Sequence, residues 1–264
     1  MKILVTVTEV AAVDDEFEID GLGVDERYLT YDLNEWDDYA VEEAVQYQEA
    51  HDDVEVVTVT VGPERADQTI RQALAKGADR AVRVWDDALA ESRLLDPATK
   101  ARVLSAVARE EDPDLILTGV QTGDASFGAT GVALAAELDI AWAAVVNDVD
   151  VDAGAGTAAV HRELEGGLEE LTDVDLPAVL TIQTGINEPR YASLRGIRQA
   201  QSKDLDVCDL ADLGVAAGEL PFAYDLTDLY EPEAEGEATL WEGGPEETAG
   251  ELAELLREKG VGEA

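Results

Sequence analysis

The segment LILTGVQTGDASFGATGVALAA, residues 115–136, carries one acid, Asp124, in a chain of 264 residues that holds 60 Asp and Glu. Simple proportion would place about five carboxylates there. A strand at 115–118 and a helix at 127–138 explain part of the depletion, because both bury apolar residues. The loop between them has no such reason. It interleaves Gly119, Gly123, Gly128 and Gly131 with Thr118, Thr122, Ser126 and Thr130. Glycines admit close approach, hydroxyls bond without charge, and the first N–H groups of a helix are unpaired at the positive end of its dipole. This is anion-binding chemistry. A nucleotide phosphate is preferred over a plain strand-to-helix turn, since four glycines exceed what a turn demands. Neither G-x-G-x-x-G after the first strand nor the Gly-Lys-Ser/Thr of a P-loop is present.

A second window, residues 176–203, contains one acid, Glu188, against four bases, Arg190, Arg195, Arg198 and Lys203. Proportion would give about six acids. Such a stretch faces an anionic partner or cofactor, or a protein interface; the alternative is internal pairing with the acidic tail. Asn187-Glu188-Pro189-Arg190-Tyr191 reads as a loop, and Leu194 is a single apolar anchor among small and basic neighbours. Other chemistry is sparse. His51 and His161 stand alone, Cys208 is the only cysteine, and the pairs Asp37-Asp38 and Glu42-Glu43 are what this composition produces by chance. With no nucleophile elbow and no cysteine-histidine cluster, a binding protein is preferred over a hydrolytic or transferring enzyme.

The elements that would position these segments alternate. Strands read at 3–8, 17–19, 54–61, 81–85 and 115–118, and helices at 36–49, 64–76, 97–110 and 127–138. That alternation predicts an α/β fold, a doubly wound, mainly parallel sheet with helices on both faces. The 119–130 loop then follows a late strand, opposite the carboxyl end of the first, where such sheets bind ligands. Strands at 144–151, 158–164 and 179–182 read as antiparallel additions. The domain is placed at 1–204, and residues 205–264 form an extended acidic tail. Its last fifty residues hold 14 acids and 2 bases, with a closing helix after Pro245 marked by Ala249, Leu252, Leu255 and Leu256. A tail without its own core either wraps its domain or a partner, or is partly disordered.

The net charge of −42 removes nucleic acid as a partner and makes an anionic membrane surface unsuitable. The 46% hydrophobic content argues against disorder. At a radius of gyration of roughly 18 Å, so much like charge strains a fold unless screened; the Debye length falls to about 3 Å in 1 M salt. Adaptation to high intracellular salt is the expectation. The start of the chain lacks a secretory pattern and no apolar run reaches spanning length, so the chain reads as soluble, cytoplasmic and not membrane-embedded.

Six ordered motifs resemble a known family: Ile3-Leu4-Val5-Thr6-Val7; Asn34 followed by Ala40-Val41-Glu42-Glu43-Ala44; Val61-Gly62-Pro63 continuing into the segment 69–80; Gly119-Val120-Gln121 with Asp124 and Thr130-Gly131; Arg162-Glu163-Leu164-Glu165-Gly166-Gly167-Leu168-Glu169; and Asn187-Glu188-Pro189-Arg190-Tyr191-Ala192. Over about residues 1–205 the chain resembles the beta subunit of electron transfer flavoprotein, here of halophilic type.

The resemblance implies an electron-carrier subunit rather than an enzyme. Its partner is an alpha subunit that carries FAD, and the heterodimer moves electrons from acyl-CoA dehydrogenases or other flavin dehydrogenases to a quinone reductase, as in fatty acid beta-oxidation. It also implies an adenine nucleotide, AMP or, in the electron-bifurcating branch that oxidises NADH, a second FAD. Around it would stand Thr6, Asn34, Glu35, Trp36, Asp37 and Val61. The loop Gly119, Val120, Gln121, Thr122, Gly123, Asp124, Ala125, Ser126, Phe127, Gly128, Ala129 and Thr130 would complete the site. Tyr191, Ala192, Ser193, Leu194 and Arg195 fall on the family's docking loop, and the tail would embrace the alpha subunit. A stand-alone nucleotide-binding protein of universal-stress type is the alternative outside this family.

Overall fold

The runs around residues 3–7, 56–61, 115–118 and 178–182 hold only apolar residues and threonine, as strands covered on both faces do. A computed structural model, which describes residues 1–232 and 240–261, places them side by side. The chain runs through β1 (Lys2–Thr6), β2 (Glu9–Val13), β3 (Ile19–Asp20), β4 (Gly23–Val24), β5 (Leu29–Leu33), α1 (Glu35–Ala50), β6 (Glu55–Val61), α2 (Asp67–Lys76) and β7 (Arg80–Val84). It continues through α3 (Asp87–Ala90), α4 (Pro97–Glu111), β8 (Leu115–Gly119), α5 (Thr130–Leu138), β9 (Ala141–Asp152), β10 (Thr157–Leu164), β11 (Leu168–Asp175), β12 (Ala178–Ile182), α6 (Leu194–Ala200), β13 (Leu205–Cys208) and α7 (Pro245–Glu258).

Among the described residues the main sheet has the order β11-β10-β9-β12-β8-β1-β6-β7-β13. Every pairing from β9 to β13 along that order is parallel, and only the two pairings of β10, with β9 and with β11, are antiparallel. Alternate residues feed two cores. Ile3, Val5, Leu115 and Leu117 face α1 and α2, where Val41, Val45, Ile70 and Leu74 pack. Leu4, Val57 and Ile116 face α4 and α5, where Val103, Val107 and Leu134 pack. This is the doubly wound α/β fold. After β1 the chain builds β6 and β7 on one side, then crosses to lay down β8 and β12 on the other. The order reverses between β1 and β8, so the carboxyl ends of those strands flank a crevice.

Four features differ from the sequence reading. The helix expected from residue 127 starts at Thr130, because Ser126 and Gly128 take φ of 51° and 61°, outside helical space. The strands expected at 144–151 and 179–182 are not both antiparallel additions: β9 pairs parallel with β12 on one side and antiparallel with β10 on the other, and β12 lies parallel between β8 and β9. The antiparallel pair β2/β5 and the strand β11 escaped notice, since each exposes one face and mixes acids with apolar residues. Lastly, composition shifts at residue 204, but the fold does not. β13 pairs with β7, Leu210, Val215 and Leu220 are buried in the α4 core, and the compact unit extends over Met1–Leu229. Tyr230–Ala264 is a second unit, in which α7 begins at Pro245, a favoured first helical residue. Residues 233–239 and 262–264 of the expected tail lie outside the described residues.

Candidate nucleotide cleft and docking segment

Where β8 ends, the backbone must leave the sheet beside the N-terminus of α1, and only glycine fits. A Cβ on Gly119 would lie 2.6 Å from the Trp36 Cβ and 2.7 Å from Asp37 Oδ1. The Gly119 N–H donates to Asp37 Oδ1 at 2.9 Å, and the Thr8 N–H donates to Oδ2 at 2.8 Å. Burial pushes the Asp37 carboxyl up to about 6, against the pull of those hydrogen bonds. Asn34 holds the loop further out: its Nδ2 donates to the Gln121 carbonyl at 2.9 Å, and its Oδ1 accepts from the Gly123 N–H at 3.3 Å. Trp36 Nε1 donates to Gln183 Oε1 at 3.1 Å. The loop then turns through Ser126, whose N–H donates to the Thr122 carbonyl at 3.0 Å. α5 seats tightly on the sheet, because a Cβ on Gly131 would lie 2.5 Å from Thr118 Oγ1 and 2.6 Å from Thr181 Cγ2. Its N-cap is Ala129, which has no side-chain oxygen, so no side chain caps the first N–H groups.

The crevice between the ends of β1, β6 and β8 is lined by Thr6 and Val61, by Gly119, Val120, Gln121 and Thr122, and by Ala125, Phe127, Gly128, Ala129 and Thr130. Asn34 and Asp37 brace the loop from behind rather than lining the crevice, and Trp36, the exposed Glu35 and the exposed loop residues Gly123, Asp124 and Ser126 do not line it either. Asp124 instead borders an adjoining recess with Trp85, Arg65 and Arg93. The opposite wall comes from Leu95, Pro97, Lys100 and Leu104, none of which was singled out from sequence. No Asp or Glu lines the crevice, in a chain of net charge −42. Lys100 borders both spaces. Burial pushes its ammonium below the usual lysine range, although Asp124, Asp37 and Asp96 pull the other way. Nothing in its local spacing separates Lys100 from a solvent-facing lysine on an amphipathic helix, which is why sequence missed it.

The second window is anchored at its base on α1. Asn187 Nδ2 donates to the Tyr39 carbonyl at 3.1 Å and to Glu43 Oε2 at 2.9 Å. The Arg190 guanidinium donates to Glu42 at 2.8 Å and Glu49 at 2.6 Å. Burial tends to raise the Glu42 carboxyl, but hydrogen bonds from Arg190 and Gln46 outweigh it and hold the group below its ordinary value. Ser193 caps α6 by accepting from the Gly196 N–H at 3.0 Å. Gly196 lacks a Cβ because one would collide with the Ala75 carbonyl oxygen. Lys203 Nζ donates to the Leu74 and Gly77 carbonyls at 3.0 and 3.1 Å, capping α2. Two of the four bases are therefore structural. What remains exposed is Tyr191 at 98%, Leu194 at 79% and the charged heads of Arg195 and Arg198, with Ala192 half-buried between them.

Residues 21–213 match the family described as Electron transfer flavoprotein domain. The chain is 47% identical over 264 residues to electron transfer flavoprotein subunit beta of Methylophilus methylotrophus, covering 98% of each. It is 38% identical over 217 residues to electron transfer flavoprotein subunit beta of Homo sapiens, covering 81% of this chain and 84% of the relative. The mitochondrial subunit beta of Arabidopsis thaliana matches to the same extent, 38% over 217 residues. The chain belongs to the electron transfer flavoprotein family, as a beta subunit. Such a subunit serves electron transfer. Among the described residues no helix of this electron transfer flavoprotein chain is long and apolar enough to cross a membrane.

Proposed function

We propose that this chain pairs with an FAD-carrying alpha subunit, holds an adenine nucleotide in the crevice at the β1/β8 reversal, and presents Tyr191, Ala192, Ser193, Leu194 and Arg195 to flavin dehydrogenases. The reading is carried by one observation: a crevice free of carboxylates, with an uncapped helix start and an unengaged lysine, inside an intensely acidic molecule. The fit to a nucleotide is chemical. The N–H groups that begin α5, the Thr122 and Thr130 hydroxyls and Lys100 suit a phosphate, and Val61, Leu95 and Leu104 suit the face of a base. The flavin of the alpha subunit supplies the one- and two-electron chemistry that links acyl-CoA or other flavin dehydrogenases to a quinone reductase. This chain orients and docks, and moves no proton of its own. The high-salt cytoplasm is the compartment its charge suits.

The recess past Lys100, where Trp85 and Arg93 stand with Asp124 and the Arg65–Glu9 ion pair, gives a second reading, FAD in place of AMP, as a bifurcating protein needs. Mass spectrometry of small molecules released from the purified heterodimer decides between them. AMP with one FAD per heterodimer supports the carrier, and two FAD support the bifurcating form. A colourless chain that purifies alone, with no nucleotide, overturns both.

A further inference from the structure

Basic side chains withdrawn from solvent in this chain are engaged almost without exception. Lys76 sits on Asp38, Arg80 on Glu55 and Glu111, Arg83 on Asp67, Arg190 on Glu42, and Lys203 on backbone carbonyls. Among the described residues Lys100 is the exception: it is half-buried, and its ammonium has neither an ion pair nor a hydrogen bond. In a molecule with 60 acids this is not for want of carboxylates. The three nearest in influence are already committed to backbone. Asp96 accepts from the Ala98, Thr99 and Ala223 N–H groups, Asp37 from Gly119 and Thr8, and Asp124 from Ala125 at 2.7 Å. The side chain lies instead on the wall shared by the crevice, which no acid lines, and its recess, which Glu9 and Asp124 border without either carboxylate pairing with it. A half-buried ammonium without a counter-charge has lost part of its hydration, so the site gains when an anion arrives.

We propose that Lys100 is the residue by which the crevice selects a phosphorylated nucleotide over its nucleoside, its ammonium pairing with a phosphate of the occupant. The inference rests on the reading above that the crevice takes an adenine nucleotide, and adds the group that reads its charge. Neutralising Lys100 then removes charge selection while leaving recognition of the base intact. Binding should also become less sensitive to salt, because the screened attraction is gone.

The test uses the full chain freed of bound nucleotide, with calorimetric titration of AMP and of adenosine at fixed KCl. Lys100→Met is expected to weaken AMP at least about tenfold, the scale of one charged hydrogen bond, and to leave adenosine within about twofold. Lys100→Arg retains most of the AMP affinity and shows that a cation, not a shape, is required. Without ligand, Lys100→Met should melt at the same temperature as the parent or higher, since an unpaired charge has been removed. Equal losses for AMP and adenosine, an unchanged AMP affinity, or a lower melting point would each overturn the assignment. If the parent chain binds AMP and the variant matches it, only Lys100 falls. If the parent binds AMP, adenosine, FAD and riboflavin alike not at all, the nucleotide reading falls with it. Should FAD be the occupant, FAD against riboflavin replaces AMP against adenosine with the same outcomes.

Discussion

The Gly119 N–H and the buried Asp37 carboxylate, 2.9 Å apart, tie the end of β8 to the first turn of α1, and the same carboxylate holds Thr8 at the end of β1. One side chain thus joins the two strands that flank the crevice. Gly119→Ala drives a methyl into Trp36 and Asp37 and should destabilise the chain by about 1–3 kcal/mol, the usual scale of overpacking. Asp37→Ala leaves two backbone donors unpaired and should cost about 2 kcal/mol or more. Denaturant unfolding of both variants checks this; a surface-like change of a few tenths would contradict it.

The same carboxyl makes a pH prediction. Its folded-state value of about 6 lies above the ordinary 3.8, so between those values the folded chain holds a proton that the unfolded chain has released. Stability from this group is therefore greatest at low pH and declines as pH rises through the window, by about 3 kcal/mol in all. Asp37→Asn removes that slope. The parent's stability relative to the variant should fall between pH 4 and 6.5, and parallel curves would refute the assignment.

Arg190 and Glu42 behave in the opposite sense. Glu42 is held below its ordinary value, so its contribution is present above the usual carboxylate range and is lost as pH falls through the folded value. Arg190→Met strands a nearly buried carboxylate and should cost about 3 kcal/mol at neutral pH, with much of the loss recovered in acid. Thermal melts at pH 7 and pH 4 provide the comparison.

Leu194 separates docking from folding. With 79% of its surface exposed, Leu194→Ala should leave stability within about 0.5 kcal/mol. Affinity for a flavin dehydrogenase should fall about tenfold or more if Leu194 is the central anchor. Surface plasmon resonance against the dehydrogenase, paired with a melt, distinguishes this from the Arg190 variant, which loses both.

The parallel sheet was legible from β1, β6 and β8, whose apolar and threonine residues run without the polar alternation of a one-sided strand, as double burial requires; β12 has the same character but, following two strands with turn signals, was read as an antiparallel addition. β11 was not legible, because Leu168 and Leu171 point outward among acids and mimic a solvated segment. At the crevice, the missing carboxylates carried more information than the glycines. Gly119 and Gly131 are required by packing against Trp36, Asp37, Thr118 and Thr181, and Gly128 by its positive φ, so three of the four have reasons unrelated to any ligand. Asn34 and Asp37 reach the site through the loop they brace, a relation that linear spacing does not encode. Lys100 arrives from a helix whose pattern speaks only of its buried side.

Because β13 closes the sheet beside β7, the change of composition at residue 204 is a poor place to cut the chain. Ending the polypeptide there would strip the backbone of Ala81, Val82, Arg83 and Val84 of its neighbour and bare a raw seam that invites self-association. It would also pull Leu210, Val215 and Leu220 out from beneath α4. A version ending at Leu229 should stay monodisperse in gel filtration, and one ending at Asp204 should precipitate. Only the former can tell whether the remaining acidic stretch serves to grip another subunit.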